Sequence, residues 1–295
     1  MGPMIEYLPT LSTKQRTTMI NEYDLHAHTH CSDGALSPTE LVQLAADTGI
    51  ATLAITDHDT VAGIAEAKQH AQQVGVNLIA GVEVTSQWAN MEIHVVGLCI
   101  DTTDSPLAER LAGQVARRYD RAEKICGKLA KMGLTDLYPA LVECSQGKPP
   151  GRPDIARLLV AHGHCRTLNE AFRKYLAMGK SAFVKTDWPD LETAVTWIKE
   201  ARGIPVLAHP GRYKLTRTKL SRLIASFQQA GGQALEVVSI GQDPTKTKQL
   251  AGFAEEYQLL ASTGSDFHSP AMPWVQLGKA PPLPRHCRPV WTAFH

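Results

Sequence analysis

The sequence predicts an α/β protein built on a mainly parallel sheet, open or closed into a barrel, with a helical subdomain inserted into it. Three observations carry this prediction. Apolar strand-like runs alternate with helix-like segments over residues 21–105 and again over 191–295. The block between them, 106–190, reads as almost entirely helical with basic turns. Polar residues of metal-binding type recur where the apolar runs stop.

The elements follow in order. NEYDLHA (21–27) reads as a strand. SPTELVQLAADTG (37–49) reads as a helix with Ser37 as N-cap, Pro38 at the first helical position, Glu40 completing a capping box and Gly49 as the stop. IATLAIT (50–56) is a buried strand, TVAGIAEAKQHAQQVG (60–75) a helix, and VNLIAGVEV (76–84) and MEIHVVGLCI (91–100) strands. Near 106 the pattern changes. RLAGQVARRYDRAEKICGKLAKMG is one long helix or two joined ones, GKPPGRP (147–153) is a break, and TLNEAFRKYLAMG (167–179) opens with a second capping-box pattern, Thr167 to Glu170. Strands return at IPVLAHP (204–210), ALEVVSI (234–240) and LLASTGSD (259–266). The barrel is therefore discontinuous, 21–105 with 191–295, around an insertion at 106–190, and residues 1–20 form an N-terminal extension.

Composition narrows the class. The chain has 295 residues, enough to bury a core unaided, with 43% hydrophobic and 20% charged residues. No apolar run is long enough to span a bilayer, and the first twenty residues have no continuous apolar stretch of signal-peptide type. Six cysteines with no CxxC pair read as reduced thiols, and a cytoplasmic protein is expected. A net charge of +1 excludes a strongly basic nucleic-acid binder. The charge is uneven: residues 106–190 hold 15 Lys/Arg against 9 Asp/Glu, a net of +6, and the rest holds 15 against 20, a net of −5. An acidic body beside a basic insertion suits cations in one place and phosphates nearby.

The ligand-type residues sit at strand ends, where active sites of parallel α/β folds gather. His26 and His28 follow the first strand, Thr56-Asp57-His58-Asp59 the second, and Glu83 the third; His94 lies on the next strand, His209 ends VLAHP, and Asp266 and His268 follow the last. Residues i and i+2 of a strand share a face, so His26 with His28, and Asp266 with His268, can hold one ion together. His30 is expected to lie past the strand end, because Ser32, Asp33 and Gly34 signal a turn. Cys31 reads as a spectator. Imidazoles and carboxylates without thiolate suit Mn²⁺, Fe²⁺ or Zn²⁺ in a catalytic site, and Glu83 is the bridging carboxylate to expect.

DLHAHTHCSDG, ITDHDT, GVEV, EIHVVGL, LAHPGRY and GSDFH, in that order, resemble the motifs of the PHP (polymerase and histidinol phosphatase) family. GRPDIA (151–156), KYLAMGKSAFV (174–184) and HPGRY (209–213) resemble its YciV/TrpH-like group, which includes nucleoside 3′,5′-bisphosphate phosphatases and the 5′→3′ exoribonuclease RNase AM. The resemblance implies a distorted seven-stranded (β/α)7 PHP barrel with a helical insertion that binds substrate phosphate. It implies three divalent ions, Mn²⁺ first and Fe²⁺, Zn²⁺ or Mg²⁺ as alternatives. The first would be held by His26, His28, Glu83 and Asp266, the second by Glu83, His94 and His209, and the third by Asp33, His58 and His268. Asp24 and Asp57 would fix imidazole tautomers. Asp154 stands where the family pattern carries histidine.

The activity implied is hydrolysis of the 3′-oxygen–phosphorus bond of nucleoside 3′,5′-bisphosphates and of short 5′-phosphorylated RNA by a hydroxide held between two ions. Arg152, Arg212 and Lys180 are the expected phosphate anchors, and His209 or Asp57 the proton relay. Trp88 is placed either to stack a base or to pack. The alternatives are a histidinol-phosphatase-type phosphomonoesterase and a non-catalytic nucleic-acid-associated module. No membrane partner and no obligate protein partner is inferred.

Overall fold

The computed structural model describes residues 22–294, so the expected N-terminal extension lies outside the described residues. Seven strands form one sheet in sequence order: β1 (Tyr23–Asp24), β2 (Thr52–Ile55), β3 (Asn77–Trp88), β4 (Met91–Leu98), β5 (Ile204–Leu207), β6 (Ala234–Ser239) and β7 (Leu260–Gly264). Leu25 N–H donates to the Thr263 carbonyl and Ala27 bridges Phe267, which brings β1 against β7 and closes the sheet into a barrel. β1 is shorter than the seven-residue strand expected there, and the chain beyond Asp24 continues against the end of β7. Gly264 permits this approach, because a Cβ at that position would lie 2.3 Å from the His26 Cβ.

Every pairing is parallel except those of β4, which runs antiparallel to both β3 and β5. The cause is a hairpin. β3 does not stop at Glu83, as the sequence suggested, but continues to Trp88 and turns through Ala89 and Asn90, both at positive φ, into β4. Glu83 is therefore in mid-strand, where β2 has already ended and His58 bridges to it. Trp88 lies in this ribbon, and its indole N–H donates to Ser226 Oγ. That bond anchors the ribbon on the barrel flank and accounts for the tryptophan by packing.

Helices cover the barrel. α1 (Pro38–Thr48) has the expected capping box, with Ser37 Oγ accepting from Glu40 N and Glu40 accepting from Ser37 N, and Gly49 ends it at φ 80°. α2 (Ile64–Val74) starts after Gly63, four residues later than expected. α3 (Ser105–Ala130) leaves the lower end of β4 and runs for 26 residues. Its Leu107 and Leu111 belong to the barrel's apolar cluster, whereas Ala122, Ile125 and Leu129 belong to a separate cluster. That second cluster is completed by α4 (Leu137–Ser145), α5 (Arg152–Ala161), α6 (Leu168–Ala171) and a π-helical turn at Phe172–Leu176. α7 (Leu191–Glu200), α8 (Arg217–Gln229) and α9 (Pro244–Glu256) return to the barrel. Among the described residues no helix is long and apolar enough to cross a membrane.

Candidate metal centre

The chain ends of β1, β2, β5 and β7 and the middle of the β3–β4 hairpin meet at one mouth of the barrel. Reversal of β4 explains why His94 reaches it: the amino-terminal half of that strand, not its end, lies level with the carboxyl ends of its neighbours, and His94 pairs across from Thr85. The Glu83 carboxylate is the centre. Its oxygens lie 3.4 Å from His26 Nε2, 3.4 Å from His28 Nε2, 3.0 Å from His58 Nδ1, 3.1 Å from His94 Nδ1 and 2.9 Å from His209 Nε2. Around it the ligand-type atoms form three overlapping groups: His26, His28, Glu83 and Asp266; His28, Asp33, His58 and His268; and His58, Glu83 and His94. His209 sits on the Glu83 oxygen that also faces His94. His28 and His58 each belong to two groups, so the boundaries between ligand sets are less sharp than the sequence motifs imply.

The electrostatics are those of a charge cluster. Burial alone would raise the Glu83, Asp33 and Asp266 carboxyls, but the surrounding imidazoles hold all three well below the usual carboxylate range. Burial opposes charge on His94, yet Glu83 lifts it to about 9; burial opposes charge on His268, yet Asp33 and Asp266 lift it to about 10. His58 is the exception, pulled down by burial. Such a set, three carboxylates packed among imidazoles, fits divalent cations. The fit also shows in hydrogen bonding. His26 Nε2, His28 Nδ1, His58 Nδ1, His209 Nδ1, Asp33 Oδ1 and Glu83 Oε2 are buried and make no hydrogen bond. Unpaired buried donors and acceptors at this density are costly unless a cation takes their lone pairs.

Two acceptors settle tautomers. Glu236 Oε2 lies 2.8 Å from His26 Nδ1, and the Asp266 carbonyl 2.9 Å from His268 Nδ1. Both accept, so Nδ1 carries the proton in each and Nε2 faces the cluster. Glu236 also accepts from His209 N–H at 3.1 Å, fixing two ligand-type residues at once. Sequence reasoning missed it, although the signal was there: one carboxylate in the otherwise apolar run ALEVVSI, buried at 2% exposure.

The insertion supplies the basic wall. Arg118 donates to Asp59 at 2.6 Å and to Thr85 Oγ1, and Gln114 donates to the Thr85 carbonyl. Arg121 and Arg152 both pair with Glu92, at 3.2 and 2.7 Å, and the Trp188 indole donates to the same carboxylate. Arg118, Arg121, Arg152 and Glu92, with Phe172 and ligand-type side chains including Glu83, His94 and His209, line a cavity of about 240 Å³. Arg118, Arg121 and Glu92 were not singled out from sequence, and Asp59, seen there only as part of a ligand-type strand end, holds Arg118 instead. On α3 the signal is periodic: the buried stripe Leu107, Leu111 turns polar at Gln114, Arg118 and Arg121 and apolar again at Ile125.

Of the expected anchors, Arg152 and Arg212 line the cavity, Arg212 pairing with Asp266. Lys180 is exposed in a turn beyond the π-helical segment and does not line it. Asp57 is not brought to the ligand groups: Oδ1 accepts from Thr29 N and Ser32 Oγ, and Oδ2 accepts from Thr29 Oγ1, at 2.6–2.7 Å. It holds the loop that presents Asp33. Asp24 accepts from Ser265 N and Gly278 N and bonds no imidazole; burial raises it to about 6. His30 is exposed and outside the three groups. Asp154 accepts from Gly151 N at the start of α5 and pairs with Arg157.

Comparison with known proteins agrees with this geometry. Residues 24–200 match the PHP domain family. The chain is 44% identical over 274 residues to the 5′-3′ exoribonuclease Rnm of Escherichia coli, covering 92% of this chain and 93% of that one. It is 40% identical over 269 residues to a 3′,5′-nucleoside bisphosphate phosphatase of Chromobacterium violaceum, covering 91% and 94%. A solved Chromobacterium violaceum structure, described as an amidohydrolase with bound sulfate and no metal, superposes with a TM-score of 0.86 at 40% identity, covering 92% of this chain and 94% of that one.

Proposed function

The chain belongs to the PHP family, and from that membership we propose that it is a metal-dependent phosphoesterase cleaving the 3′-oxygen–phosphorus bond of nucleoside 3′,5′-bisphosphates and of short 5′-phosphorylated RNA. One observation carries the reading: a buried carboxylate ringed by five imidazoles opens into a cavity whose opposite wall is arginine. Relatives over nearly the full chain are named for these two activities. The two reactions break the same bond and differ in what else hangs on the phosphorus.

We assign three divalent ions, Mn²⁺ foremost, to His26, His28, Glu83 and Asp266; to Glu83, His94 and His209; and to Asp33, His58 and His268. Bound there, such ions neutralise phosphoryl charge and lower the pKa of water toward neutrality. The protein's own residues do the rest. Glu236 holds His26 and the His209 backbone in place. Arg152, placed by Glu92, presents a planar donor pair to the substrate's second phosphate. Arg121 and Arg118, buried on the same wall, supply fixed positive charge without reaching out of it. The departing 3′-oxygen needs a proton; of His209 and Asp57, His209 faces the ligand groups. The protein is assigned to the cytoplasm on its reduced thiols.

The test is incubation of the Mn²⁺-loaded protein with a nucleoside 3′,5′-bisphosphate and a 5′-phosphorylated oligoribonucleotide side by side. Release of inorganic phosphate and the 5′-mononucleotide from the first, and of 5′-mononucleotides from the second, is expected. Turnover of histidinol phosphate at a rate equal to the bisphosphate would favour the phosphomonoesterase alternative, and inactivity on every phosphoester the non-catalytic one.

A further inference from the structure

The cavity is closed on one side by the insertion, through Arg118, Arg121, Arg152 and Phe172. On the barrel side stands Arg212, with 46% of its side chain exposed. Beyond Arg212 the chain changes character. Between Pro210 and Leu235 there are five Lys/Arg and no Asp or Glu. Lys214, Arg217, Lys219 and Arg222 are exposed, and none forms an ion pair among the described residues.

This segment is fixed to the site. Tyr213 Oη accepts from His94 N–H at 2.9 Å, and its ring meets that of His209 edge-on. Gly211 lies against the side chains of Gln242 and Lys246, so a Lys on α9 joins the same surface. Next to it a cleft of about 650 Å³ runs between the start of α8 and α9, lined by Arg217, Lys246 and Lys248. Its two carboxylates are Asp243, which accepts from Thr245 N to cap α9, and Glu256, at the far end of that helix.

We propose that Lys214, Arg217 and Lys246 form a ledge along which the downstream part of a single-stranded RNA leaves the cavity. The inference rests on the RNA reading above. A substrate whose 5′-terminal nucleotide occupies the insertion side then carries the rest of its chain out past Arg212, the half-exposed residue of the barrel-side wall. Cations that form no ion pair among the described residues, starting two residues beyond Arg212 in the cavity wall, then meet successive phosphates. The ledge reads charge and not base identity, as an exonuclease acting on any sequence requires. A nucleoside bisphosphate ends at the cavity and does not reach the ledge.

The test compares wild type with the double variant Arg217→Glu/Lys246→Glu, both Mn²⁺-loaded, on a nucleoside 3′,5′-bisphosphate and on a 5′-phosphorylated oligoribonucleotide of about a dozen residues. The expected result is a KM for the oligonucleotide raised about tenfold or more, with kcat/KM for the bisphosphate within about twofold. The salt dependence of the oligonucleotide KM should flatten by on the order of 0.7 logarithmic unit per lost phosphate contact. The charge-preserving pair Arg217→Lys/Lys246→Arg should restore the wild-type KM. An unchanged oligonucleotide KM overturns the ledge, as does an equal loss on both substrates, or a KM rise produced instead by Lys148→Glu, in a separate cleft between the insertion and His30–Cys31. Wild type that hydrolyses the bisphosphate and leaves the oligonucleotide intact removes the RNA reading itself, before any variant is compared.

Discussion

His26 stands between two carboxylates, with Nδ1 2.8 Å from Glu236 and Nε2 3.4 Å from Glu83. The first contact fixes the proton that leaves the second nitrogen free. Glu236→Gln removes the charge and can present its NH₂ to Nδ1, which reverses the tautomer. The variant should bind Mn²⁺ about 10–100-fold more weakly and regain activity as metal is raised. Metal titration of activity, paired with metal content by elemental analysis, checks this; an unaltered titration curve would mean that Glu236 only packs.

His58 lies 3.0 Å from Glu83 and 3.9 Å from Asp33, so it joins two ligand groups. His58→Ala should reduce turnover by more than about a hundredfold while the melting temperature of the metal-free protein stays within a few degrees. Turnover at the wild-type rate would defeat the three-ion assignment.

Metal loading should expel protons. Burial works against charge on His94 and His268, but Glu83 and Asp33 respectively hold them near 9 and 10. Both are raised above the ordinary value near 6.5, so in the metal-free protein their charge contributes stability fully below pH 6.5. That contribution is lost as pH rises through about 9 and about 10. A metal ion needs the neutral rings, so apparent affinity should climb with pH over the same window. Calorimetric titration with Mn²⁺ at pH 7 in buffers of different ionisation enthalpy reads the protons released, and a value of zero would contradict the cluster's electrostatics.

Arg118 and Asp59 join the insertion to the barrel through a buried ion pair at 2.6 Å. Arg118→Met leaves Asp59 buried and uncompensated and should cost about 3–5 kcal/mol in urea unfolding of the metal-free protein. Adding Asp59→Asn should recover much of that loss. Additive losses would place the two residues in independent environments.

How much of this was legible in the sequence depended on how local the cause was. α1 could be read to the residue because Ser37, Glu40 and Gly49 are all local signals. The strand-end histidines were visible because parallel sheets put chemistry there. The direction of β4 was not: MEIHVV has the same alternation in either sense, and its turn uses Ala89 at φ 46° where glycine would have flagged it. Asp57 looked like a site residue because it neighbours His58 in sequence, and Trp88 was open between stacking and packing; their partners, Thr29 and Ser226, come from other parts of the fold. Glu236 and Arg118 were hidden for the converse reason, since each meets a site residue that is remote along the chain.

The reversed strand has an architectural consequence. β4 delivers the chain to the barrel floor, so whatever roofs the mouth must be carried back up the outside. α3 is the mast that does so: 26 residues at about 1.5 Å each give about 39 Å, with its foot in the barrel core, its middle in the arginine wall and its top in the insertion's own core. The height of the roof over the site is thus set by the length of this helix. Removing three residues would lower it by about 4.5 Å and rotate Arg118 by about 60° off Asp59, whereas deleting seven would lower the roof by about 10.5 Å with a rotation of only about 20°.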